Sequence, residues 1–249
     1  MGVEAGIRCT TGVCISFKST KPINKVKMKK ILLSFILCVG VVISAQGQSS
    51  ILEKGQNGFG TSAGFSTNDD LSGFTGAFGY SFSGVFDLGI SIGRFGFDEQ
   101  LFGEDLNVTT ISPYVSYVIV KQDEQIPLSF SISGSYDRLI YSNKVLSDFD
   151  IVMTGNFYSI GASLYNMINV SDGMRIQPAI GLTYITGEFK IEDDSDSYTE
   201  EDNSTVFSIS LSLIFKSSPT NTFVVSPSLG IGDNVTTFGL SLSFVFPQN

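Results

Sequence analysis

Near the C-terminus, an alternation of bulky apolar residues with very small ones constrains the fold more than any other feature of the chain. Residues 238–246 read FGLSLSFVF, and the residues between the large apolar ones are Gly or Ser until Val245. A period of two is the spacing of a β-strand, whose successive side chains point to opposite faces. A strand on a soluble core usually carries charged or amide side chains on its wet face. This segment instead predicts a strand between an apolar environment and a cramped interior.

Ten segments, each of about ten residues, alternate in this way, and helical spacing is not convincing anywhere after residue 50. The segments are 57–66, 73–82, 85–95, 107–120, 126–137, 156–168, 174–189, 204–216, 222–231 and 235–246. Long polar connectors are expected at 98–106, 139–155 and 190–203, with short turns such as Ser83-Gly84 between them. Short turns at one end and long loops at the other are typical of a transmembrane β-barrel.

The two faces of these segments agree with a barrel in a membrane. Lipid offers no hydrogen bonds, so a spanning sheet must close on itself and turn hydrocarbon outward. We therefore expect Leu240, Leu242 and Phe244 to face outward, and the Gly and Ser residues to fill a narrow lumen. The alternative is a secreted soluble β-sandwich or lipocalin-like barrel, which would carry Lys and Glu opposite the apolar phase. The strand interiors contain almost no Lys or Glu, which favours the membrane barrel.

A targeting signal precedes the barrel. Met28-Lys29-Lys30 is followed by a predominantly apolar run of 13 residues, 31–43, and then by small residues. This order predicts a secretory signal peptide, because the apolar run is shorter than the ~20 residues of a membrane-spanning helix. The predicted division is an N-terminal extension at 1–27 that stems from a misassigned start, a signal peptide at 28–45, a short lead-in at 46–56, and the barrel at 57–246. Cleavage after Gly47 is the alternative to cleavage after Ala45.

The charge of the processed chain excludes one class of partner. Without residues 1–45, eight Lys and Arg remain against 23 Asp and Glu, a net charge near −15. Such a chain is not expected to bind nucleic acid, whose affinity for proteins depends on Lys and Arg. All three Cys lie within the first 38 residues, so neither a disulfide framework nor a thiolate metal site is expected downstream.

Three strands share an apolar–polar–Pro–x–apolar pattern: ISPYV at 111–115, IQPAI at 176–180 and VSPSL at 225–229. In this and in its alternation, the chain resembles over residues 57–246 the small outer-membrane β-barrel domain proteins of Gram-negative bacteria, the broad OmpX/OmpW-like group. The resemblance implies residence in the bacterial outer membrane, with outer-membrane lipid and the barrel-assembly machinery as partners. It also implies eight strands as the alternative to ten. Phe246 resembles the terminal aromatic residue of such proteins, although three residues follow it.

Enzymatic chemistry is not expected. The outer-membrane barrel enzymes resemble one another in using a His, and this chain has none. Neither a Ser-His-Asp triad nor an Asp-His pair can therefore be assembled. No cofactor is expected either.

Three charged residues, Asp87, Asp137 and Arg175, fall on the inward phase of their strands. Charges in a narrow lumen pair with one another or line a water path. One interpretation is a gating or selectivity group in a small pore, and the favoured one is an interior salt bridge that closes the barrel. Arg94 and Arg138 lie near the outer strand ends, where a bulge would turn either of them inward.

The outer loops contain two further candidate features. The acidic stretch 192–202 holds Asp193, Asp194 and Asp196 at a spacing that is a weak match to a calcium loop. A solvated loop that repels like-charged surfaces is the favoured interpretation. Near the strand tops, four aromatic residues are candidates for an interfacial girdle: Phe95, Phe97, Phe102 and Tyr158.

The sequence leaves three functions open. The favoured one is a porin-like passive channel for small solutes, because the many small inward residues leave room for water. The second is a closed structural or surface-interaction barrel that acts through its acidic outer loops. The third, less favoured, is the secreted soluble binding protein.

Overall fold

The segments of alternating large apolar and small residues after position 56 form one antiparallel sheet that closes on itself. The computed structural model describes residues 9–10, 13–14, 48–101, 104–192, 197–218, 221–232 and 235–248. The strands are β1 (Asn57–Thr67), β2 (Leu71–Phe82), β3 (Phe86–Leu101), β4 (Glu104–Val120), β5 (Ser129–Ser142), β6 (Val152–Tyr165), β7 (Ile168–Ser171), β8 (Met174–Glu192), β9 (Ser197–Ser218), β10 (Asn221–Gly232) and β11 (Val235–Gln248). Apart from the barrel, the two-residue strands Cys9–Thr10 and Val13–Cys14 pair with each other.

The last strand closes the barrel against the first. β11 pairs with β1 from Phe238 opposite Thr67 to Gln248 opposite Asn57. The four-residue β7 continues the line of β6 along β8, so the eleven strands occupy ten positions around the barrel. An even number of positions brings Asn57 and Gln248 to the same end, which we call the terminal end. The opposite end is the distal end.

The predicted ten-strand barrel is confirmed, including the Gly-rich first segment, which forms β1. The predicted long connectors are wrong in extent, because paired strands continue through most of them. β3 and β4 extend to Leu101 and Glu104, and β8 and β9 extend to Glu192 and Ser197. These segments are polar because they continue past the apolar belt. Their backbone groups still gain from pairing, so polarity does not end the strands.

A belt of exposed apolar side chains surrounds the barrel. Leu240, Leu242 and Phe244 face outward with 40%, 42% and 48% of their surfaces exposed, and Phe74 reaches 69%. The predicted outward orientation of the large apolar phase is therefore confirmed. A soluble monomer rarely exposes an apolar surface of this extent, so the belt fits contact with lipid.

The distal half of the interior is filled by apolar side chains that we call the apolar layer. Its members are buried and in mutual contact: Leu71, Phe95, Phe97, Leu106, Val108, Leu139, Tyr141, Leu146, Met153, Phe157, Ile185, Phe189 and Val206. Phe95 and Phe97 are 1% and 6% exposed. Their assignment to an outer girdle is thus wrong, because β3 keeps its phase as far as Phe97 and turns odd-numbered residues inward. Tyr158 does face outward, and Phe102 lies outside the described residues.

The connector between β5 and β6 adds one member to this layer. It contains the helix α1 (Lys144–Asp148), which begins after Asn143, whose Oδ1 accepts a hydrogen bond from the Leu146 backbone nitrogen at 2.7 Å. A capping side chain of this type satisfies a backbone donor that the first helical turn leaves free. α1 places Leu146, 3% exposed, over the layer. No helix within the described ranges is long and apolar enough to span a membrane.

Candidate functional site

The lumen is divided into three zones from the terminal end to the distal end. Residues 48–56, which precede β1, fold into the terminal mouth, and we call them the plug. They start with a 3-10 turn at Gln48–Ser50, in which Gln48 and Ser49 are buried. A zone lined by Ser and Tyr side chains follows, and the apolar layer occupies the distal half. The candidate site is the lumen together with the rim that surrounds the layer.

Asp87 is bound by the plug. Its side chain is 1% exposed and accepts hydrogen bonds from the backbone nitrogen of Ser49 at 3.0 Å to each carboxylate oxygen. The Ser49 hydroxyl donates a third, to Oδ2, at 2.8 Å. Hydrogen bonds to an ionised acceptor are about twice as strong as neutral ones. Asp87 therefore anchors the plug inside the barrel.

Lys121, in the turn between β4 and β5, holds the plug from its other side. Its Nζ donates to the carbonyl oxygens of Ser49 and Gly84 at 2.8 Å each, and to that of Leu52. Burial lowers the pKa of Lys121 to about 8, while the nearby carboxylates of Asp87 and Glu53 act in the opposite direction. The ammonium group thus balances the negative charge of Asp87 and donates hydrogen bonds to carbonyl groups of the plug.

Asp137 lies in the middle of the barrel, beside the apolar layer. It is 1% exposed and opposite Phe157 of β6 in the strand register. Its Oδ2 accepts a hydrogen bond from the Ser135 hydroxyl at 2.9 Å, and that hydroxyl lies 2.7 Å from the Ser159 hydroxyl. Its Oδ1 is buried without a hydrogen-bond partner among the described residues. Asp137 therefore belongs to a small polar group under the layer.

Arg175 lies at the terminal mouth, in a pocket of about 540 Å³ that it lines with Glu53, Lys121 and Tyr165. Its Nε makes no hydrogen bond within the described part of the chain. It forms no ion pair with Asp87 or Asp137, both of which are also described. The structure thus places Asp87 and Asp137 inside the lumen, as the phase predicts, but it does not join the three charges.

Sequence analysis missed the two residues that compensate Asp87. The sequence places Ser49 in a lead-in and Lys121 in a turn, and it predicts no role for either. Ser49 is 38 positions from Asp87 along the chain, so no local pattern connects them. A usable signal for Lys121 was its rarity, because it is one of only eight Lys and Arg after residue 45.

Serine hydroxyls line the zone between the plug and the apolar layer. A cavity of about 60 Å³ there is lined in part by Ser116, Ser131, Ser133, Ser163 and Ser210. A second, of about 20 Å³, lies beside Gln48 and Tyr114. The larger cavity has room for roughly four water molecules, taking about 15 Å³ for each. The inward Gly and Ser residues therefore leave small polar cavities between two filled zones.

The distal rim is taller on one side than on the other. β9 pairs with β8 along its whole distal part, but its pairing with β10 begins only at Phe207 opposite Ile231. Among the described residues, 199–203 therefore have a paired strand on one edge alone, and we call them the open edge. They contain Glu200, Glu201 and Asp202, and β8 adds Glu188 beside them.

The remaining candidates lie on or near this rim. Arg94 is exposed on the outer face, and Arg138 donates to the Asn156 Oδ1 at 2.6 Å, also on the outer face, so neither is turned inward. Asp193, Asp194 and Asp196, the weak calcium candidates, lie outside the described residues. In the part of the chain that is described, no three Asp, Glu, Cys or His side chains are grouped to hold a metal.

Comparisons with known proteins agree with the barrel. No protein-family model and no curated protein matches the chain. Among solved structures, the translocator domain of the autotransporter NalP from Neisseria meningitidis has a TM-score of 0.50 at 10% identity, covering 89% of this chain and 97% of that one. Ail, the attachment invasion locus protein of Yersinia pestis, has a TM-score of 0.34 at 11% identity, covering 78% and 99%. The N-terminal β-barrel domain of Pseudomonas aeruginosa OprF has 0.34 at 14%, covering 78% and 100%.

At these identities the likeness is one of fold alone. The alignment covers 97% of the NalP domain, which is the translocator domain of an autotransporter. In this chain the pairing of β11 with β1 closes the sheet. The chain is thus an all-β protein, a closed antiparallel barrel of ten strand positions with the architecture of outer-membrane β-barrels.

Proposed function

We propose that this protein is an outer-membrane barrel with a closed lumen, which acts through its acidic distal surface. In this proposal the terminal end faces the periplasm and the distal end faces the outside. Outer-membrane lipid surrounds the apolar belt, and the barrel-assembly machinery inserts the chain. The barrel has no catalytic role, in keeping with the absence of His from the sequence.

The apolar layer is the observation that supports a closed lumen. Phe95, Leu106, Leu139 and Phe157 are each at most 2% exposed and come from four different strands. An ion that entered this layer would lose its hydration without gaining a partner, which costs many kcal/mol. Hydrophobic packing of this kind stops ion flow more completely than a salt bridge, which leaves polar groups along the path.

The acidic open edge supports an action at the distal surface. An unpaired strand edge presents a row of backbone N–H and C=O groups that another strand can join. Glu200, Glu201 and Asp202 lie on this edge, and the ion pair of Lys190 with Glu192, at 2.7 Å, neutralises only one neighbouring carboxylate. Charge complementarity then favours a cationic partner in an extended conformation.

A passive channel is the second candidate, and the serine-lined cavities favour it. Their hydroxyl groups suit water, and the plug and the apolar layer would both have to move for a continuous path to form. Conductance separates the two candidates directly. The closed barrel has no path in its resting state.

We expect the purified protein to give no stable channel above background in planar bilayers after verified insertion. The reason is that neither the plug nor the apolar layer leaves space for a hydrated ion. Insertion is checked by the protection of the membrane-embedded strands from protease. The outer membrane channel COG4313 from Pseudomonas putida F1 serves as the positive control. Reproducible single-channel steps at low voltage would contradict the closed lumen and favour the passive channel.

A cationic extended peptide is expected to bind the distal surface. We use a labelled ten-residue peptide of alternating Lys and Thr, and the triple variant E200Q/E201Q/D202N. Removing three charges is expected to weaken binding about tenfold, since each exposed pair contributes roughly 0.5 kcal/mol. Affinity is measured by fluorescence anisotropy, and it should fall as salt rises.

The matched control neutralises three acidic groups at the opposite end of the barrel: D123N, E124Q and D172N. These residues lie in turns at the terminal end, far from the open edge. Their replacement should leave the affinity of the peptide unchanged. Equal losses in both triple variants would mean that only net charge matters, and no binding to the parent protein would contradict an interaction at the distal surface.

A further inference from the structure

The plug is held in the terminal mouth in the way that a receptor holds a peptide ligand. Its polar contacts with the barrel come from several strands and turns rather than from one neighbour. Ser49 bonds to Asp87 of β3, Gln48 Nε2 donates to the Gly60 carbonyl of β1 at 3.3 Å, and Gln177 of β8 donates to the Ser50 carbonyl at 3.5 Å. Lys121 adds a contact from a turn. The plug therefore contacts the inner wall on several sides.

The wall is also shaped to make room for the plug. A Cβ atom on Gly60 would lie 2.8 Å from the Gln48 Nε2, and one on Gly58 would lie 2.9 Å from a methyl carbon of Leu52. At Gly84, which has a φ of +58°, a Cβ would lie within van der Waals overlap of the Glu53 carbonyl. Any larger side chain at these positions would overlap the space that the plug occupies. The small residues of this part of the lumen are thus matched to it.

Without the plug, two charged groups of the wall would lack hydrogen-bonding partners. Asp87 is 1% exposed with the plug in place, and its three hydrogen bonds from Ser49 would be lost with it. Lys121 would lose two carbonyl acceptors, those of Ser49 and Leu52. Buried charges need hydrogen-bonding partners, and removing one partner is costly. An empty mouth would therefore present a carboxylate and an ammonium group to any peptide that could replace those bonds.

We propose that the terminal mouth is a peptide-binding site and that residues 48–56 are its built-in ligand. The site takes a short peptide with a turn at its start, in which a backbone N–H and a Ser hydroxyl bind Asp87 and two carbonyl groups bind Lys121. A branched apolar residue three positions later packs where Leu52 does, over Gly58. The same peptide added in trans will bind a barrel whose own plug is missing.

The first test uses the full chain and follows exposure of the plug. Cys9, Cys14 and Cys38 are changed to Ser, and Leu52→Cys, 2% exposed in the parent, reports on the plug through its rate of labelling by a soluble maleimide. Asp87→Asn is expected to raise this rate about tenfold, because the plug loses a charged hydrogen-bond acceptor. Asp137→Asn is the matched control, since Asp137 is equally buried in the lumen and its carboxylate accepts a hydrogen bond from Ser135 of its own strand rather than from the plug.

The second test supplies the ligand from outside. A barrel without residues 48–56, whose folding is verified by heat-modifiable mobility on gels, is titrated with a labelled peptide of the sequence QSSILEKGQ. We expect saturable binding that Asp87→Asn weakens about tenfold and that Asp137→Asn does not change. A peptide with Pro in place of the first Ser lacks the N–H donor and should bind at least as weakly as in the Asp87→Asn barrel.

Two results would overturn the proposal. One is a labelling rate of Leu52→Cys that is the same in the Asp87→Asn and Asp137→Asn backgrounds. The other is a folded plug-deleted barrel that does not bind the peptide. If the deleted barrel does not fold, the labelling experiment alone decides, because it uses the complete chain. Neither test depends on the distal surface or on conductance, since the apolar layer stays in place in every variant.

Discussion

Phe157→Ala is expected to lower the free energy of unfolding by about 3–5 kcal/mol. Phe157 is 2% exposed and belongs to the apolar layer, where its ring is close to the backbone of Gly155 and Gly187. Truncation leaves a cavity in a closed barrel whose strands cannot move together to fill it. Denaturant titration in lipid vesicles, followed by circular dichroism, measures the change, because the chain has no Trp for fluorescence.

Ile160→Ala, three residues further along the same strand, is the matched control. Ile160 faces outward with 64% of its surface exposed. Lipid chains can occupy the space that its side chain leaves, so we expect a loss of less than about 1 kcal/mol, within the range of strand propensities. A loss at Phe157 no larger than the one at Ile160 would show that the layer is not packed as a core.

The strands could be predicted from the sequence because each spans a boundary between two unlike environments. In β11 the residues Leu240, Leu242 and Phe244 face the outside of the barrel, and Ser241 and Ser243 face a narrow lumen. Neither environment accepts Lys or Glu, so the period of two is not interrupted by charge. The same alternation predicted which residues of each strand face inward. It predicted this correctly for Asp87 and Asp137.

The apolar layer has a signal in the sequence, which is a change of side-chain size along one face of a strand. Along β3 the inward residues change from Asp87, Gly89 and Ser91 to Phe95 and Phe97. A change from small to bulky residues within one phase marks the height at which the lumen fills. Because the outward phase of β3 is bulky and apolar from Phe86 to Ile92, the alternation alone predicts that bulky residues near the strand end also face outward.

The plug could not have been predicted from local pattern. Residues 46–56 have no periodicity, and the bond from Ser49 to Asp87 joins residues 38 positions apart. Its contacts are with residues of several strands, which lie side by side only in the closed barrel. The extent of the distal strands escaped prediction for a different reason, because polarity indicates solvent exposure there rather than the end of pairing.

Leu242→Arg is expected to lower the free energy of unfolding in lipid vesicles by about 2–4 kcal/mol. Leu242 lies near the middle of β11, opposite Ala63 of β1 and Val225 of β10, with 42% of its surface exposed to the outside. A guanidinium group at this height must lose its hydration or distort the bilayer. Thr199→Arg, on the exposed distal part of β9, is the control and should cost less than about 1 kcal/mol, as for sites near or beyond the interface.

The same pair of variants decides between a membrane barrel and a secreted soluble one. On the surface of a soluble β-protein, a charged residue in place of an exposed Leu is tolerated and costs within about 0.5 kcal/mol. Both variants would then be equally stable, and the parent protein would stay monomeric without detergent. Both side chains are exposed, and they differ chiefly in the surroundings to which they are exposed. Only lipid around the belt would make an Arg strongly destabilising at position 242 and nearly neutral at position 199.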